Sequence, residues 1–435
     1  MKIGIVGAGA AGMAAAWDLV NAGHEVHLFE AEPRVGGLAA GFKDEGWDWW
    51  LEKFYHHWFQ TDADVLRLAE EMGVRDKILF PRPKTSFWID GKIVRSEISP
   101  SALFLPLSLG AKIRFGLGGV RLKLMPSWQE LEKTTAHEWL LANMGRAGYD
   151  KFFRPLLIGK FGEEYQQVNM AWMWARVKAR SLKLGTFEGG FQAFLDTLAE
   201  AIKTRGAVIH LNAPVSAIGK MAGKPTLTVD GETHTFDKVL ATTSPGLLLR
   251  LAPELRDSDY GRNIASLRTI GAVCVVLATR EQLLTDGTYW LNLPATSANK
   301  RESRFPFLAL VEHTNWMDRA HYNGDRILYL GDYVPTDHEY FTMTETELIE
   351  RFTAVLPTIN PAFKADWVRR AWVFRAPYAQ PVPHIHHSER VPTIETPLEH
   401  VFWASMNHVY PWDRGTNYAI ELGRRAAGLI MESGA

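Results

Sequence analysis

Three glycines, Gly7, Gly9 and Gly12, stand between the apolar run Lys2 to Val6 and an Ala-rich stretch with helical periodicity that stops at Gly23. In that setting the first glycine permits a tight turn, the second lets a pyrophosphate approach the backbone, and the third lets helix and strand pack closely. The run from His24 to Glu30 reads as the next strand, so the segment is a right-handed βαβ unit. Its helix begins near Ala10 and Ala11, whose free N–H groups face the phosphates of a bound nucleotide. Glu30 follows Gly12 by 18 residues at the end of the second strand. A carboxylate there accepts hydrogen bonds from ribose hydroxyls and repels a 2′-phosphate, so NADP is disfavoured at this site.

The rest of the chain repeats the alternation. Phe87 to Arg95 alternates around Asp90-Gly91, and Leu227 to Phe236 around Asp230-Gly231; both read as hairpins with type I′ turns. Between Glu130 and Arg180 the periodicity is mostly helical. A helix from about Phe191 to Thr204 leads through Gly206 to a strand at Val208 to Leu211, and a further strand signal runs from Lys238 to Thr243. The strand His400 to Ala404 precedes a last helix from about Thr416 to Met431. The fold class expected is α/β: a Rossmann-like nucleotide-binding domain interleaved with an α+β substrate domain. The boundaries expected are 1–85, 186–255 and 386–435 for the nucleotide-binding domain, with 86–185, mostly helical, and 256–385 for the substrate domain.

Length and composition bound the function. At 435 residues, 46% hydrophobic and 22% charged, the chain is a folded globular protein of more than one domain. Lys plus Arg (48) balance Asp plus Glu (49), which gives no field for nucleic acid. The one cysteine, Cys274, lies in an apolar run and reads as a buried structural thiol in a reducing, cytoplasmic compartment. No window is long and apolar enough to span a membrane. His384, His386 and His387 lie beside Pro381 and Pro383, which mark a loop, without cysteine or carboxylate at ligand spacing, and no metal is expected. From Ile98 to Gln129 there is no Asp or Glu, but Lys112, Arg114, Arg121 and Lys123 stand among large apolar residues. The reading adopted is a pair of substrate-domain helices with an internal apolar face, ahead of an interfacial element touching anionic lipid at the inner face of a membrane.

A second glycine pair follows the acidic residue in Glu30-Ala31-Glu-Pro-Arg34-Val-Gly36-Gly37-Leu38. This run resembles the extended fingerprint of the superfamily of flavin enzymes containing amine oxidases, protoporphyrinogen oxidases and phytoene desaturases. The resemblance continues through Gly189-Gly190-Phe191 and Asn212 to Ile218, then through Val401 to Met406, Arg414-Gly415-Thr416-Asn417 and Gly423 to Ala427. It implies FAD as the cofactor, and it assigns Gly7, Gly9, Ala10, Ala11, Gly12, Glu30, Ala31, Arg34, Gly36, Gly37, Leu38, Val215, Arg414, Gly415, Thr416 and Asn417 to its binding. By the same resemblance the last helix meets the flavin's pyrimidine edge with its N-terminus, where its dipole stabilises negative charge.

Two groups are candidates for the catalytic side. His56 and His57 lie where the family's chain returns towards the flavin; they are either proton-relaying groups or a hydrogen-bonded pair on a half-buried strand. Tyr410 and Trp412 are either an aromatic wall beside the flavin, standing in for the one that amine oxidases carry at the position of Gly415, or core. His57-Trp-Phe-Gln60-Thr61 also resembles the His-containing motif of UDP-galactopyranose mutases, with Gln60 in place of the second His. The resemblance implies an oxidoreductase removing hydride from a C–N or C–C centre of a small or apolar substrate. The alternatives are a mutase-like enzyme acting on a nucleotide sugar, whose diphosphate-clamping arginines the sequence does not locate, and a non-catalytic FAD-binding protein. Oligomeric state is not legible.

Overall fold

The structure is a computed structural model describing residues 1–95, 107–179, 181–299 and 301–434. Labels are given to the nucleotide-binding elements: β1 (Lys2–Val6), α1 (Ala10–Asn21), β2 (Glu25–Phe29), α2 (Phe191–Thr204), β3 (Val208–His210), β4 (Lys238–Ala241), β5 (Val401–Trp403) and α3 (Thr416–Glu432). The strands form one parallel sheet in the order β3-β2-β1-β4-β5, with Val6 opposite both Phe29 and Ala241. Near-continuous apolar strands such as Ile3-Gly4-Ile5-Val6 reflect burial on both faces.

On one face, α1, α2 and α3 bury Met13, Trp17, Phe194, Leu198, Ile420 and Ile430. The other face is covered by an antiparallel meander of Val215–Met221, Lys224–Val229 and Glu232–Thr235. Leu227 and Phe236 pack there against Val6, Phe29 and Val239. Gly4 is what lets the meander come so close, since a Cβ there would lie 2.9 Å from Leu227 Cδ1. The two Asp-Gly turns have positive φ at both central residues, as type I′ turns require.

A second, seven-stranded sheet draws its strands from other parts of the chain. Its order is Val368–Pro381, Thr269–Thr279, Arg326–Val334, Ala309–Glu312, Trp290–Asn292, Thr85–Ile89 and Lys92–Arg95. All neighbours are antiparallel except Trp290–Asn292 with Thr85–Ile89. One face packs on the helix Glu345–Thr353 through Leu348 and Phe352, and the other holds an aromatic cluster with Trp47, Tyr289, Tyr322 and Tyr329. Cys274 is buried in this sheet opposite Gly331 and Phe374. A helical layer of Leu109–Leu124, Ala136–Met144, Arg154–Phe161 and Met170–Ala179 shares a third apolar cluster, including Leu122, Leu140, Leu157 and Trp172.

Two expectations are corrected. His56 and His57 do not sit on a strand; they occupy the segment between the two-residue strands Leu51–Glu52 and Trp58–Phe59, tied down by flanking backbone pairing. The apolar face of the Leu109–Leu124 helix is not internal: Leu109, Ile113, Leu117, Val120 and Leu124 are exposed, and Leu122 is the large apolar residue that is buried. The part of that basic stretch from Ile98 to position 106 lies outside the described residues.

Candidate active site

The cofactor cradle is built from the three glycines outward. Gly7 turns the chain at φ 101°, and a Cβ on Gly12 would lie 2.1 Å from the Gly7 carbonyl oxygen, so α1 starts against the end of β1 only because Gly12 has no side chain. Gly9 occupies the cap position of α1 without any side-chain cap, leaving first-turn N–H groups at Ala10 and Ala11 for an anion. The second glycine pair packs directly onto this turn. Gly36 N–H donates to Ala8 O at 2.9 Å, and Gly9 and Gly36 form an isolated parallel bridge. Gly36 and Gly37 both have positive φ, 129° and 57°.

Glu30 holds these pieces together. Its Oε2 accepts from Ala8 N at 2.8 Å and its Oε1 from Glu32 N at 3.0 Å. Its own backbone pairs with His210 O and Ala213 N, which seats the segment leading to Val215 at the end of β2. Ala31 and Leu38 are exposed at the rim, and the Arg34 guanidinium lies 4.8 Å from the Trp50 ring centroid. These residues fit a dinucleotide, since a Cβ on Gly9 would meet only Gly37 Cα at 3.9 Å and Gly36 O at 4.0 Å. The protein itself leaves that space, which a bound pyrophosphate would fill.

The closing segment is tied to the histidine loop. Gly415 caps α3 with no side-chain acceptor, so first-turn N–H groups are available there too. Thr416 Oγ1 accepts from Trp58 Nε1 at 2.6 Å, next to His57. Asn417 Oδ1 is engaged by Asp64 N and Val65 N at 2.9 and 3.0 Å, capping the helix Ala63–Glu71. The Asn417 side-chain oxygen is thus engaged within the protein, while its backbone N–H lies in the first turn of α3.

His56 Nδ1 donates to Phe54 O at 2.5 Å, which fixes the tautomer and leaves Nε2 as the acceptor. Burial, with the Arg414 guanidinium second, lowers its pKa to about 4, so the ring is neutral at neutral pH, with a proton on Nδ1 and Nε2 able to accept. The His57 ring packs edge-on to Phe59 and Trp290.

Tyr410 and Trp412 line a small pocket whose other apolar walls include Trp172, Pro381 and Met406. His56 and His57 are not part of its lining, although Arg414, which is, acts on His56. The Tyr410 ring faces this pocket, but its hydroxyl donates to Glu132 Oε2 at 3.0 Å and accepts from Asn169 Nδ2 at 2.9 Å. Trp412 stacks on Tyr418 and stays partly exposed. The three histidines near this pocket are separately engaged: His384 with Glu164, His386 with Glu389, and His387 against the Tyr410 ring.

Of the polar groups in this pocket, Arg414 was expected at the cofactor and Gln380 was not singled out by the sequence. Arg414 Nε and Gln380 Oε1 are both buried without a hydrogen-bond partner among the described residues. The Arg414 guanidinium lies 5.1 Å from the Tyr333 ring centroid, and burial lowers its pKa to about 10, leaving it charged. Beside it, Asp413 collects Lys160 Nζ at 3.3 Å, Trp172 Nε1 at 3.2 Å and the Arg176 guanidinium. Burial opposes ionisation of Asp413, but Lys160 and Arg176 outweigh it and hold the carboxyl below its ordinary range. Burial likewise pulls the Lys160 ammonium well below its ordinary value, against the attraction of Asp413. Two basic side chains and one indole N–H thus converge on one carboxylate. Lys160 and Arg176 come from the Trp-rich helical block more than 230 residues before Asp413, and no local motif announces them.

A nucleotide-binding parallel sheet with a doubled glycine cradle, joined to a separate sheet across an aromatic and basic pocket, defines a flavin-dependent enzyme fold. The chain belongs to the family of flavin containing amine oxidoreductases, whose model matches residues 10–431. The chain takes FAD as its cofactor. It is 33% identical over 404 residues to the 15-cis-phytoene desaturase of Narcissus pseudonarcissus, covering 83% of this chain and 66% of that one. Curated relatives such as this one are longer, and the chain spans about half the length of the Synechococcus elongatus 15-cis-phytoene desaturase. The fold matches a putative protoporphyrinogen oxidase from Exiguobacterium sp. 255-15 with TM-score 0.77 at 17% identity, covering 99% of each chain. It matches a reduced UDP-galactopyranose mutase with TM-score 0.78 at 18% identity, covering 99% of this chain and 96% of that one. No helix among the described residues is long and apolar enough to cross a membrane.

Proposed function

We propose that this oxidoreductase removes hydride from a C–N or C–C centre of a small or apolar substrate that carries one polar group. The observation behind this reading is a cluster of side chains rather than an open cavity: Trp172, Pro381, Met406, Tyr410 and Trp412 pack around Arg414 Nε and Gln380 Oε1, which have no hydrogen-bond partner among the described residues, and leave room for about one water. A hydroxyl, carboxylate or amide on the substrate would give Arg414 its missing acceptor, while the apolar body displaces water from the aromatic surface. FAD, when bound, supplies the hydride acceptor. The residues that would hold it are the Gly7–Gly12 turn, Glu30, Arg34, the Gly36–Gly37 pair, the backbone at Val215 and the first turn of α3. One C–H bond of the substrate breaks with both electrons leaving as hydride, and a proton leaves the neighbouring nitrogen or carbon. The positive charge of Arg414, Arg176 and the α3 N-terminus favours negative charge that builds up beside them. A buried single thiol agrees with a cytoplasmic, reducing setting.

One observation favours a second reading. The excess of Lys160, Arg176 and Arg414 over Asp413 would also suit a diphosphate, as a mutase acting on a nucleotide sugar requires. The two readings separate in the variants Trp412→Ala and Arg414→Met. Under the first, both retain FAD; Trp412→Ala slows reduction of the flavin by substrate, and Arg414→Met raises the substrate concentration needed. If Arg414→Met instead abolishes binding of UDP-sugars that protect the wild type from heat, the second reading holds.

A further inference from the structure

We infer that the helix Leu109–Leu124 is a docking element for the surface of an anionic phospholipid bilayer. This helix of 16 residues begins at Ser108, whose side chain accepts from Ala111 N, and its buried contacts are made by Gly118 and Leu122. A Cβ on Gly118 would lie 2.7 Å from Met144 Sδ, so this side is pressed onto the helix Ala136–Met144. The opposite side is apolar and bare. Leu109, Ile113, Leu117, Val120 and Leu124 recur at spacings of three and four, which puts them on one stripe, and each is between 56% and 74% exposed.

Charge selects the occupant. With about 100° of turn per residue, Lys112 and Lys123 fall along one edge of the stripe and Arg114 and Arg121 along the other. The arginines are held in that position, Arg114 by Ala142 O at 2.7 Å and Arg121 by Asn143 Oδ1 at 2.7 Å. No Asp or Glu occurs from Ile98 to Gln129. A helix that anchors by one face to the protein and presents a leucine-rich stripe between two basic edges has the chemistry of an interfacial helix, its apolar side chains entering the acyl boundary and its cations meeting lipid phosphates. A second copy of the chain is the wrong partner, because stripe against stripe would bring basic edges against basic edges. The inference is independent of the reaction proposed above. It concerns the outer face of the helical layer that carries Lys160 and Arg176, and it would place the catalytic pocket close to an apolar substrate reservoir.

Co-sedimentation of the FAD-loaded protein with vesicles tests it. Binding is expected to vesicles of phosphatidylcholine mixed with phosphatidylserine, to fall sharply on phosphatidylcholine alone, and to be released by high salt. Ile113→Glu combined with Leu117→Glu should abolish binding while leaving FAD content and the unfolding temperature unchanged, since both positions are already exposed. Lys123→Gln should weaken binding to the anionic vesicles by about fivefold. Equal binding to both vesicles, or none to either, would overturn the inference. So would a wild-type dimer in light scattering that the double glutamate variant converts to monomer, because the stripe would then belong to a second copy.

Discussion

Gly9 and Glu30 perform different tasks within a few ångströms. Because the space beyond Gly9 is open in the protein, Gly9→Val should fold normally and yet retain no flavin, read as a colourless protein with an unchanged circular dichroism spectrum. Glu30 is more than a ribose acceptor, since its carboxylate also receives the Ala8 and Glu32 N–H groups. Glu30→Ala should therefore weaken FAD binding and also lower the stability of the apoprotein, by about 1–3 kcal/mol for the stranded donors; calorimetry without FAD measures the second effect. Glu52 gives a pH-dependent case. Its Oε1 accepts from Phe191 N at 2.8 Å, and burial raises its pKa to about 7 from an ordinary value near 4.5. The native state thus keeps a proton that the unfolded chain gives up, and stability falls as pH rises from about 4.5 to 7. Glu52→Gln removes that loss, so its stability relative to wild type should improve across this window by roughly 2–3 kcal/mol, measured by denaturant titration at several pH values. Residues of the glycine cradle were legible because their chemistry depends on spacing along one short segment. Lys160, Arg176 and Asp413 were not, because only the fold brings them together.

At the scale of elements, α1 and α3 cross at Gly423, where a Cβ would lie 2.1 Å from the Ala11 carbonyl oxygen. Gly423→Ala must push the helices apart at the start of α1 and should lower stability by about 1–3 kcal/mol together with FAD affinity. Gly428, one turn further on in the same helix, has nothing within 4 Å of its Cβ position. Gly428→Ala should instead stabilise by about 0.5–1 kcal/mol, and paired thermal melts distinguish the two. The hairpins at Asp90-Gly91 and Asp230-Gly231 were readable from the dipeptide because the turn demands positive φ twice. The orientation of Leu109–Leu124 was not, since Phe115 and Leu122 on one side and the leucine stripe on the other make the helix apolar on two faces. Sequence cannot say which of two apolar faces meets the protein. The histidine loop misled for a similar reason: short alternating runs around His56 and His57 look like one strand, whereas only their ends pair.

At the scale of the molecule, the parallel sheet is assembled from three visits of the chain, residues 2–29, 208–241 and 401–403. The strand signals were local and the resemblance ordered them, so this sheet was foreseeable. The placement of the aromatic pocket apart from the histidines was not, because it depends on how the helical layer and the loop before α3 pack together. Net hydride chemistry at this site is tested by anaerobic titration of the oxidised enzyme. Apolar amines, cyclic tetrapyrrole precursors and polyenes are added in turn while the flavin absorbance is followed, and UDP-galactopyranose is assayed in parallel with oxidised and dithionite-reduced enzyme. Bleaching of the flavin by a member of the first group is expected, with no turnover of the nucleotide sugar in either state. Turnover of UDP-galactopyranose by the reduced enzyme alone, with no bleaching by any hydride donor, would contradict it.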